Sequence, residues 1–235
     1  MKPGWYILNY HDVSWEETPL MRGIGGTFPP DVFADHVDSL AKVGQWIGVK
    51  EGLERFKDAA PEQAYFSAWF DDGFVGVRRY AAPILAGQGV TGAMSVNSDF
   101  LLRKDMFWRC KLAYLHYLDL GRVVRTRLRP LGHKFGQSVK AFSLDHFSLE
   151  IVAQIDAVYQ KYVSSDYAAD AFRMFDDVSG IQALQDAGWV IANHSASHYP
   201  IGEPRFLSEM GAEFRKCADD LGGHLALEPG LMVLP

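Results

Sequence analysis

The sequence predicts an α/β fold built on a mostly parallel sheet, and two observations lead to this prediction. Its 235 residues are 48% hydrophobic and 13% aromatic, which is enough to bury the core of one domain. Apolar runs of strand length also alternate along the chain with amphipathic helical patterns. Strands that alternate with helices usually pair in parallel, in a sheet that is open or closed into a barrel. We therefore treat residues 1–235 as a single domain.

The first elements follow one another as strand, helix and strand. WYILNY (5–10) is an apolar run of strand length. FPPDVFADHVDSLAKVG (28–44) has apolar residues at helical spacing, prolines near its start and a glycine at its end. QWIGV (45–49) is predicted to be the second strand.

The same alternation continues through the rest of the chain. A helix is predicted over GVRRYAAPILAGQG (76–89), and another over DDVSGIQALQDAG (176–188), with Asp176 or Asp177 as its N-cap. The remaining predicted strands are YFSAWF (65–70), TGAMSV (91–96) and WVIAN (189–193). Residues 101–174 are longer than a barrel connection requires, and DMFWRCKLAYLHYLDLGR within them has a helical pattern. We therefore expect a helical insertion or cap there.

Charge and cysteine content narrow the functional classes. The formal net charge of −6 argues against a general nucleic-acid binder, yet residues 103–134 hold nine Lys or Arg against two Asp. That basic segment is either a solvated helical face or a docking surface for an anionic glycolipid or membrane. Two cysteines are too few for a disulfide framework. With no export or membrane-spanning pattern in the sequence, we expect a cytoplasmic location.

Three polar clusters follow predicted strands, at the edge where chemistry gathers in parallel sheets. They are YHDVS (10–14), FDDGF (70–74) and NHSASHYP (193–200). Because His194 and His198 are four residues apart, a single helical turn would project both imidazoles to one side, where they could bind one metal ion. The alternative is a pair of polar side chains on a loop.

Asp71 and Asp72 would repel each other when both are ionised, so a compensating charge is expected nearby. Successive strand residues face opposite ways, and Gly73 permits the turn that would let both carboxylates share a pocket. One carboxylate could then join the histidines as a metal ligand, leaving the other free as a base. The alternative is an Asp-Asp-Gly surface turn, which seldom follows so apolar a run.

These motifs resemble those of the NodB-homology polysaccharide deacetylases, carbohydrate esterase family four. Residues 69–73, Trp-Phe-Asp-Asp-Gly, resemble the family's Thr/Ser-Phe-Asp-Asp-Gly, with Trp69 departing from the usual small residue. Residues 194–198, His-Ser-Ala-Ser-His, match its His-Ser/Thr-x-x-His. The N-terminal YHDV (10–13) is similar to a sub-branch that acts on exopolysaccharide N-acetylglucosamine.

The resemblance implies an irregular (β/α) barrel of about seven strands. It also implies that Asp72, His194 and His198 bind one divalent ion, that Asp71 is the catalytic base and that Ser195 braces the histidine loop. Zinc suits this ligand set best, and nickel, cobalt, manganese and iron are alternatives. The two-His-one-carboxylate set also serves iron oxygenases, but those usually place the carboxylate close to one histidine in the sequence.

The general acid is the least direct of the predicted roles. The family's usual acid is a histidine in its fifth motif, which this sequence lacks, and GLMVLP (230–235) falls where the third motif is expected. The YHDV resemblance implies that His11 takes the role of the acid. His11 ends the first strand on the same rim as Asp71, and an imidazole titrates near neutral pH. The alternative is that His11 caps the first loop with Asp12 as its partner.

The sequence therefore predicts a metal-dependent hydrolase that removes an N-acetyl group from an amino sugar. The expected partner is an N-acetylated glycan or glycolipid, in a surface polysaccharide or a precursor such as a lipopolysaccharide side chain. Because the family's fourth and fifth motifs are not found, a non-catalytic protein that binds a glycan or another partner on the same barrel is the main alternative.

Overall fold

A five-stranded parallel sheet forms the centre of the computed structural model, which describes residues 1–134, 136, 138–163, 172–200 and 204–235. The strands are β1 (Gly4–Tyr10), β2 (Asp12–Val13), β3 (Thr27–Phe28), β4 (Gln45–Trp46), β5 (Ala64–Phe70), β6 (Ala93–Val96) and β7 (Val190–Asn193). The order in the sheet is β1-β5-β6-β7, and β4 pairs with the beginning of β5. Strands β2 and β3 pair in parallel as a separate small sheet.

Helices cover and connect these strands. They are α1 (Pro30–Ala41), α2 (Val49–Arg55), α3 (Ala82–Gly87), α4 (Ser98–Leu101), α5 (Trp108–Tyr117), α6 (Gly121–Leu128), α7 (Val139–Asp145), α8 (Leu149–Tyr162), α9 (Val178–Asp186) and α10 (Pro204–Leu221). The predicted parallel α/β arrangement is confirmed. Pairing among the described residues leaves β1 and β7 at the two ends of the sheet and does not close it into a barrel.

Strand β5 is the most buried element and carries the Asp71-Asp72 pair at its end. All seven of its residues are buried, as expected for a strand paired on both edges in a parallel sheet. Ser67, near its middle, accepts a hydrogen bond from Trp5 Nε1 and donates one to the Ile47 carbonyl, both at 2.9 Å. The centre of the sheet therefore holds the aspartate pair on a fixed backbone.

Two predicted elements differ from the structure in their bounds. The run QWIGV forms only the short strand β4, because α2 begins at Val49 after the extended residue Gly48. The helix predicted over 76–89 begins as a π turn, Val77–Ala81, before α3. Pro83 has no N–H and its ring crowds the carbonyl four residues earlier, so the wider π turn accommodates it.

The N-cap of α9 is Asp177, whose Oδ1 accepts a hydrogen bond from the Gly180 N–H at 2.8 Å. Asp176 pairs instead with Arg78, at 2.6 Å to Nε and 3.0 Å to Nη2. This ion pair ties the start of α9 to the π turn that follows the aspartate pair.

The connection between β6 and β7 is helical, as expected, with α5 packed against α8. Residues 135, 137 and 164–171 of this predicted insertion lie outside the described residues. Lys111 is buried in it and forms ion pairs with Asp105 and Asp156, at 2.5 and 2.6 Å. Its role as a cap stays a prediction.

The last residues of the chain run beside β7. Val233 N–H donates to the Asn193 carbonyl at 2.9 Å, and Met232 forms a parallel bridge with Asn193. Both cysteines, Cys110 and Cys217, are buried and unpaired. Among the described residues, none of the helices combines the length and the apolar character that crossing a bilayer requires.

Candidate metal centre

The three polar clusters meet at the carboxyl edge of the sheet. Asp71 N–H donates to the Tyr10 carbonyl at the end of β1, and His194 N–H donates to the Val96 carbonyl at the end of β6, both at 3.0 Å. These backbone bonds fix the loops after β5 and β7 to their neighbouring strands. The side chains that follow are thereby brought to one rim.

Asp72, His194 and His198 form a buried cluster. Asp72 Oδ1 lies 3.1 Å from His198 Nε2 and 3.5 Å from His194 Nε2. One potential ligand atom from each of the three residues lies within 4.8 Å of the others. This spacing is compatible with a single ion held among them.

A left-handed turn follows β5. Asp72 has φ 72° and Gly73 has φ 74°, so the backbone reverses at once after Asp71. Glycine adopts this conformation freely, and aspartate is one of the few other residues that tolerate it. Both carboxylates can therefore stay near the rim, although successive residues of a strand face opposite ways.

The histidines reach the site by a different route from the one their spacing predicts. His194 and His198 lie on a loop and not on a helical turn, and Ser195 and His198 have positive φ, 67° and 56°. Three of the five described non-glycine residues with positive φ belong to the candidate site. Such strain persists only where the surrounding structure enforces it, and it clusters at functional sites.

Side-chain hydrogen bonds enforce this loop. Ser195 Oγ accepts from His198 N–H at 3.1 Å, and Ser195 N–H donates to Asn193 Oδ1 at 2.9 Å. The Asn97 amide donates to the carbonyls of His194 and Ser195, at 2.5 and 3.1 Å. Ser195 thus lies where the predicted bracing role requires it.

A backbone carbonyl near the end of the chain orients His194. The Val233 carbonyl oxygen lies 2.9 Å from His194 Nδ1, so this nitrogen carries the proton and donates it. His194 Nε2 then presents a lone pair toward Asp72. Metal-binding histidines commonly have this second hydrogen bond, which fixes the tautomer and the ring plane.

The polar atoms at the centre of the cluster fit a cation. Asp72 Oδ1 is buried, lies 3.1 Å from His198 Nε2 and also faces the Nε2 lone pair of His194. Two acceptors that face each other in a buried site repel unless a proton or a cation lies between them. One carboxylate and two imidazoles are a common ligand set for zinc and for the other predicted divalent ions.

The electrostatics of the cluster favour the ligand forms of its side chains. Burial would raise the pKa of Asp72, but His198, His194 and His11 outweigh it and hold that pKa well below its usual range. Burial lowers the pKa of His194, with a further contribution from His198. Ionised Asp72 and neutral His194 are the forms that bind metal.

Asp71 is held beside this cluster by three donors. Asn9 Nδ2 donates to Oδ2 at 2.8 Å, Trp69 Nε1 donates to Oδ1 at 3.1 Å, and the Ser95 hydroxyl also donates to Oδ1. Each carboxylate oxygen has two acceptor positions, so one position on Oδ2 is left for a further donor. Trp69, the departure from the family's first motif, thus supplies a hydrogen bond to Asp71.

His11 and Asp12 lie in different environments. His11 is half-buried, and its charge contributes to the low pKa of Asp72. Asp12 is buried and accepts a hydrogen bond from Ser14 Oγ at 3.0 Å. Burial raises the pKa of Asp12 to about 6, and hydrogen bonds with Ser14 and Thr27 offset part of that rise. Within the described chain, no hydrogen bond joins Asp12 to His11.

Four phenylalanines connect the two halves of the site. The Phe107 ring lies 4.2 Å from the His198 ring, and Phe100 lies 6.0 Å from Phe107. Phe175 continues the series at 5.0 Å from Phe100 and at 5.0 Å from Phe74, in the loop after the aspartate pair. The segment between β6 and β7 therefore packs directly against a candidate ligand.

Sequence reasoning missed the residues that support this centre. Asn9 and Ser95 hold Asp71, and Asn97 holds the histidine loop. Their positions at the ends of β1 and β6 were a usable signal, because side chains there reach the same rim. The sequence contains no signal for the role of the Val233 carbonyl, because every residue type has a backbone carbonyl.

The fold is shared with solved deacetylase structures, although the sequence matches no protein-family model and no curated protein. The structure of IcaB from Ammonifex degensii has a TM-score of 0.58 at 14% identity, covering 100% of this chain and 75% of that one. A de-N-acetylase from Aggregatibacter actinomycetemcomitans has a TM-score of 0.58 at 13% identity, covering 98% and 79%. The Streptococcus pyogenes deacetylase PplD has a TM-score of 0.52 at 12% identity, covering 96% and 71%. At these identities the likeness concerns the fold.

Proposed function

We propose that the chain is a metal-dependent N-deacetylase of the NodB type, which hydrolyses the acetamide of an amino sugar. The observation that carries this proposal is the buried convergence of Asp72, His194 and His198, with Asp71 beside them on the same rim. The fold shared with solved de-N-acetylases supports the same reaction class.

Asp72, His194 and His198 would hold the ion. A divalent ion bound there supplies Lewis acidity, which polarises an acetyl carbonyl and makes a water molecule more acidic. The Val233 carbonyl keeps His194 in the ligand tautomer. Burial of all three side chains excludes bulk water from the ligand atoms, and zinc is the ion that suits this set best.

Asp71 acts as the general base. The acceptor position left on Oδ2 takes the proton of the attacking water, while the Asn9, Trp69 and Ser95 donors keep the carboxylate in place. His11 acts as the general acid and protonates the nitrogen of the leaving amine, without which the amine is a poor leaving group. Its half-buried position after β1 gives it access to a bound substrate.

The substrate is an N-acetylated glycan or glycolipid, and we favour a precursor of a surface polysaccharide, such as a lipopolysaccharide side chain. Within the basic segment, Lys104 and Lys111 are already in ion pairs with aspartates. The four exposed arginines on and just after α6 are Arg122, Arg125, Arg127 and Arg129. We propose that this face meets the anionic part of a glycolipid or of a membrane surface.

Metal analysis with an activity assay tests the proposal. Wild-type protein is expected to bind one divalent ion and to release acetate from an N-acetylated oligosaccharide. A His194→Ala, His198→Ala double variant is expected to lose both, and the exposed histidine variant His224→Ala is the matched control. Unchanged ion stoichiometry in the double variant would overturn the metal site. Retained ion with no acetate release from any substrate would favour a glycan-binding protein.

Substrate comparison tests the preferred precursor. Lipid-linked or nucleotide-linked acetamido sugars are expected to release acetate faster than finished polymers. Replacing Arg122 and Arg125 together with Gln should raise KM for the lipid-linked substrate and leave the KM for a neutral oligosaccharide unchanged. Acetate release from polymers alone would contradict the precursor assignment.

A further inference from the structure

A cleft lies next to β2 and the π turn, and Asp71, Asp72, His194 and His198 are absent from its lining. It has a volume of about 770 Å³, within the range of ligand sites in proteins. The segment after β2 forms one wall, the π turn forms another, and the end of α5 forms a third. The residues that matter here are Asp12, Trp15, Glu16, Arg79, Tyr80 and Tyr117.

Aromatic rings exposed to water mark this cleft. Trp15 is 59% exposed and Tyr117 is 48% exposed, and both line the cleft. The Tyr117 ring already stacks on Tyr114 at 6.0 Å and has Arg22 5.9 Å from its centroid. Only three aromatic residues, the third being Tyr162, are among the exposed large hydrophobic side chains of the described residues, so two of the three line one cleft. Tyr80 adds a half-buried ring to the wall. Exposed aromatic surface concentrated at one place is typical of a binding site.

The cleft is lined by equal numbers of acidic and basic side chains. Asp12 and Glu16 supply carboxyl groups, while Arg79 and Arg173 supply guanidinium groups. The carboxyl of Asp12 is buried at the floor, held by Ser14 Oγ, and Gly76 leaves it the space it occupies. Arg79 is exposed and forms no ion pair with a described residue. A lining of balanced charge gives no preference for a strongly charged ligand.

We propose that this cleft binds a neutral saccharide unit. A pyranose ring has a C–H face that packs on an aromatic ring and an edge of hydroxyls that both donate and accept hydrogen bonds. Trp15 would take the C–H face of the sugar, while Arg79 and Glu16 would take its hydroxyls. This assignment rests on the proposed deacetylase function, because the bound saccharide would be one unit of the N-acetylated glycan substrate.

The cleft and the candidate catalytic centre are connected at two places in the chain. Asp12 directly follows His11, and the π turn that lines the cleft follows the Asp71-Asp72 turn. A glycan that binds at the cleft would therefore be held close to the rim where the proposed reaction occurs. The expected effect is on the affinity for oligosaccharides, with little effect on the chemical step.

Binding measurements test the cleft apart from catalysis. The His194→Ala, His198→Ala variant would be titrated calorimetrically with neutral oligosaccharides of N-acetylglucosamine and of N-acetylgalactosamine, with wild-type protein stripped by chelator as a second sample. Trp15→Ala and Arg79→Ala should each weaken binding by about tenfold, as expected for a lost aromatic or hydrogen-bonding contact. Tyr162→Ala, an exposed aromatic outside the cleft, should bind as the parent does.

The two proposals fail in different ways. Absence of binding across the oligosaccharides, or equal affinity in Trp15→Ala, Arg79→Ala and the parent, would overturn the cleft. Displacement of the sugar by free uridine diphosphate would overturn it in favour of a nucleotide. If wild-type protein releases no acetate, the deacetylase proposal is wrong. The binding titration still tests the cleft in that case, because binding requires no turnover.

Discussion

Asp72 combines three features that are each unfavourable alone: a left-handed backbone, nearly complete burial and a carboxylate oxygen that faces the Nε2 lone pair of His194. A buried unpaired charge costs several kcal/mol unless a cation compensates it. The same residue faces two imidazoles. These features make sense together as the ligand geometry of a cation site, and less well as a device that stabilises the fold.

His11→Ala tests the proposed acid. The variant should retain its metal and its fold, because His11 is half-buried and is not one of the three proposed ligands. Its kcat should fall on the order of a hundredfold or more, since the amine would leave without protonation. Steady-state kinetics with metal analysis would check this. Near-normal turnover would reduce His11 to a structural role.

Trp69→Phe tests the support of the base. The change keeps an aromatic ring in place and removes the Nε1–H that donates to Asp71 and lies 3.4 Å from Ser95 Oγ. We expect kcat to fall about tenfold, from a less well oriented carboxylate, with KM and metal content unchanged. The control is Trp46→Phe, which loses the indole hydrogen bond to the Val37 carbonyl, away from the site. Equal effects of the two variants would contradict the assignment.

At the scale of residues, the sequence predicted the groups whose chemistry depends on side-chain identity. Asp71, Asp72, His194 and His198 were readable because carboxylates and imidazoles at strand ends suggest a metal site. The carbonyl of Val233 was not readable, because its role comes from backbone position alone.

At the scale of elements, the histidine loop depends on its neighbours more than on its own sequence. The spacing predicts a helical turn, whereas hydrogen bonds with Asn97 and Val233 hold a loop with left-handed residues. Local periodicity cannot register such bonds, since their partners are distant in the sequence.

Shortening the C-terminal segment tests its part in the site. Deletion of residues 232–235 removes the carbonyl that orients His194, whereas deletion of residue 235 alone keeps it as an amide carbonyl. We expect the longer deletion to weaken metal affinity by about 10- to 100-fold, the usual effect of losing an outer hydrogen bond to a ligand. Competition with a chromogenic chelator would measure it. Equal affinities of the two deletions would show that the carbonyl is dispensable.

At the scale of the whole molecule, alternation of strands and helices was enough to predict a parallel sheet, because that pattern leaves few other solutions. The alternation does not indicate whether the sheet closes into a barrel. Closure depends on which edges meet, and pairing between distant strands has no local signature. The described sheet keeps β1 and β7 at its ends.

The pH dependence of stability is set in part by Asp12. Burial raises its pKa from the ordinary 3.8 to about 6 in the folded chain. Between about pH 4 and 6 the folded state retains a proton that the unfolded state has lost. The free energy of unfolding should therefore fall as pH rises through this range, by up to about 3 kcal/mol.

Urea unfolding of wild type and Asp12→Asn between pH 4 and 7 would measure this contribution. The stability of the variant relative to wild type should increase as pH rises, because the amide has no proton to lose. Asp58→Asn, an exposed aspartate, is the control for loss of one charge. A difference between Asp12→Asn and wild type that stays constant with pH would contradict the assigned pKa.

The four phenylalanines between Phe74 and His198 should affect the NMR chemical shifts of protons in the site. Aromatic ring currents displace the NMR resonances of nearby protons, and the Phe107 ring lies 4.2 Å from the imidazole of His198. The ring protons of His198 should therefore resonate away from those of an exposed histidine such as His224. Their position would report on the packing of α5 against the site, and on ions entering it, without any knowledge of the substrate.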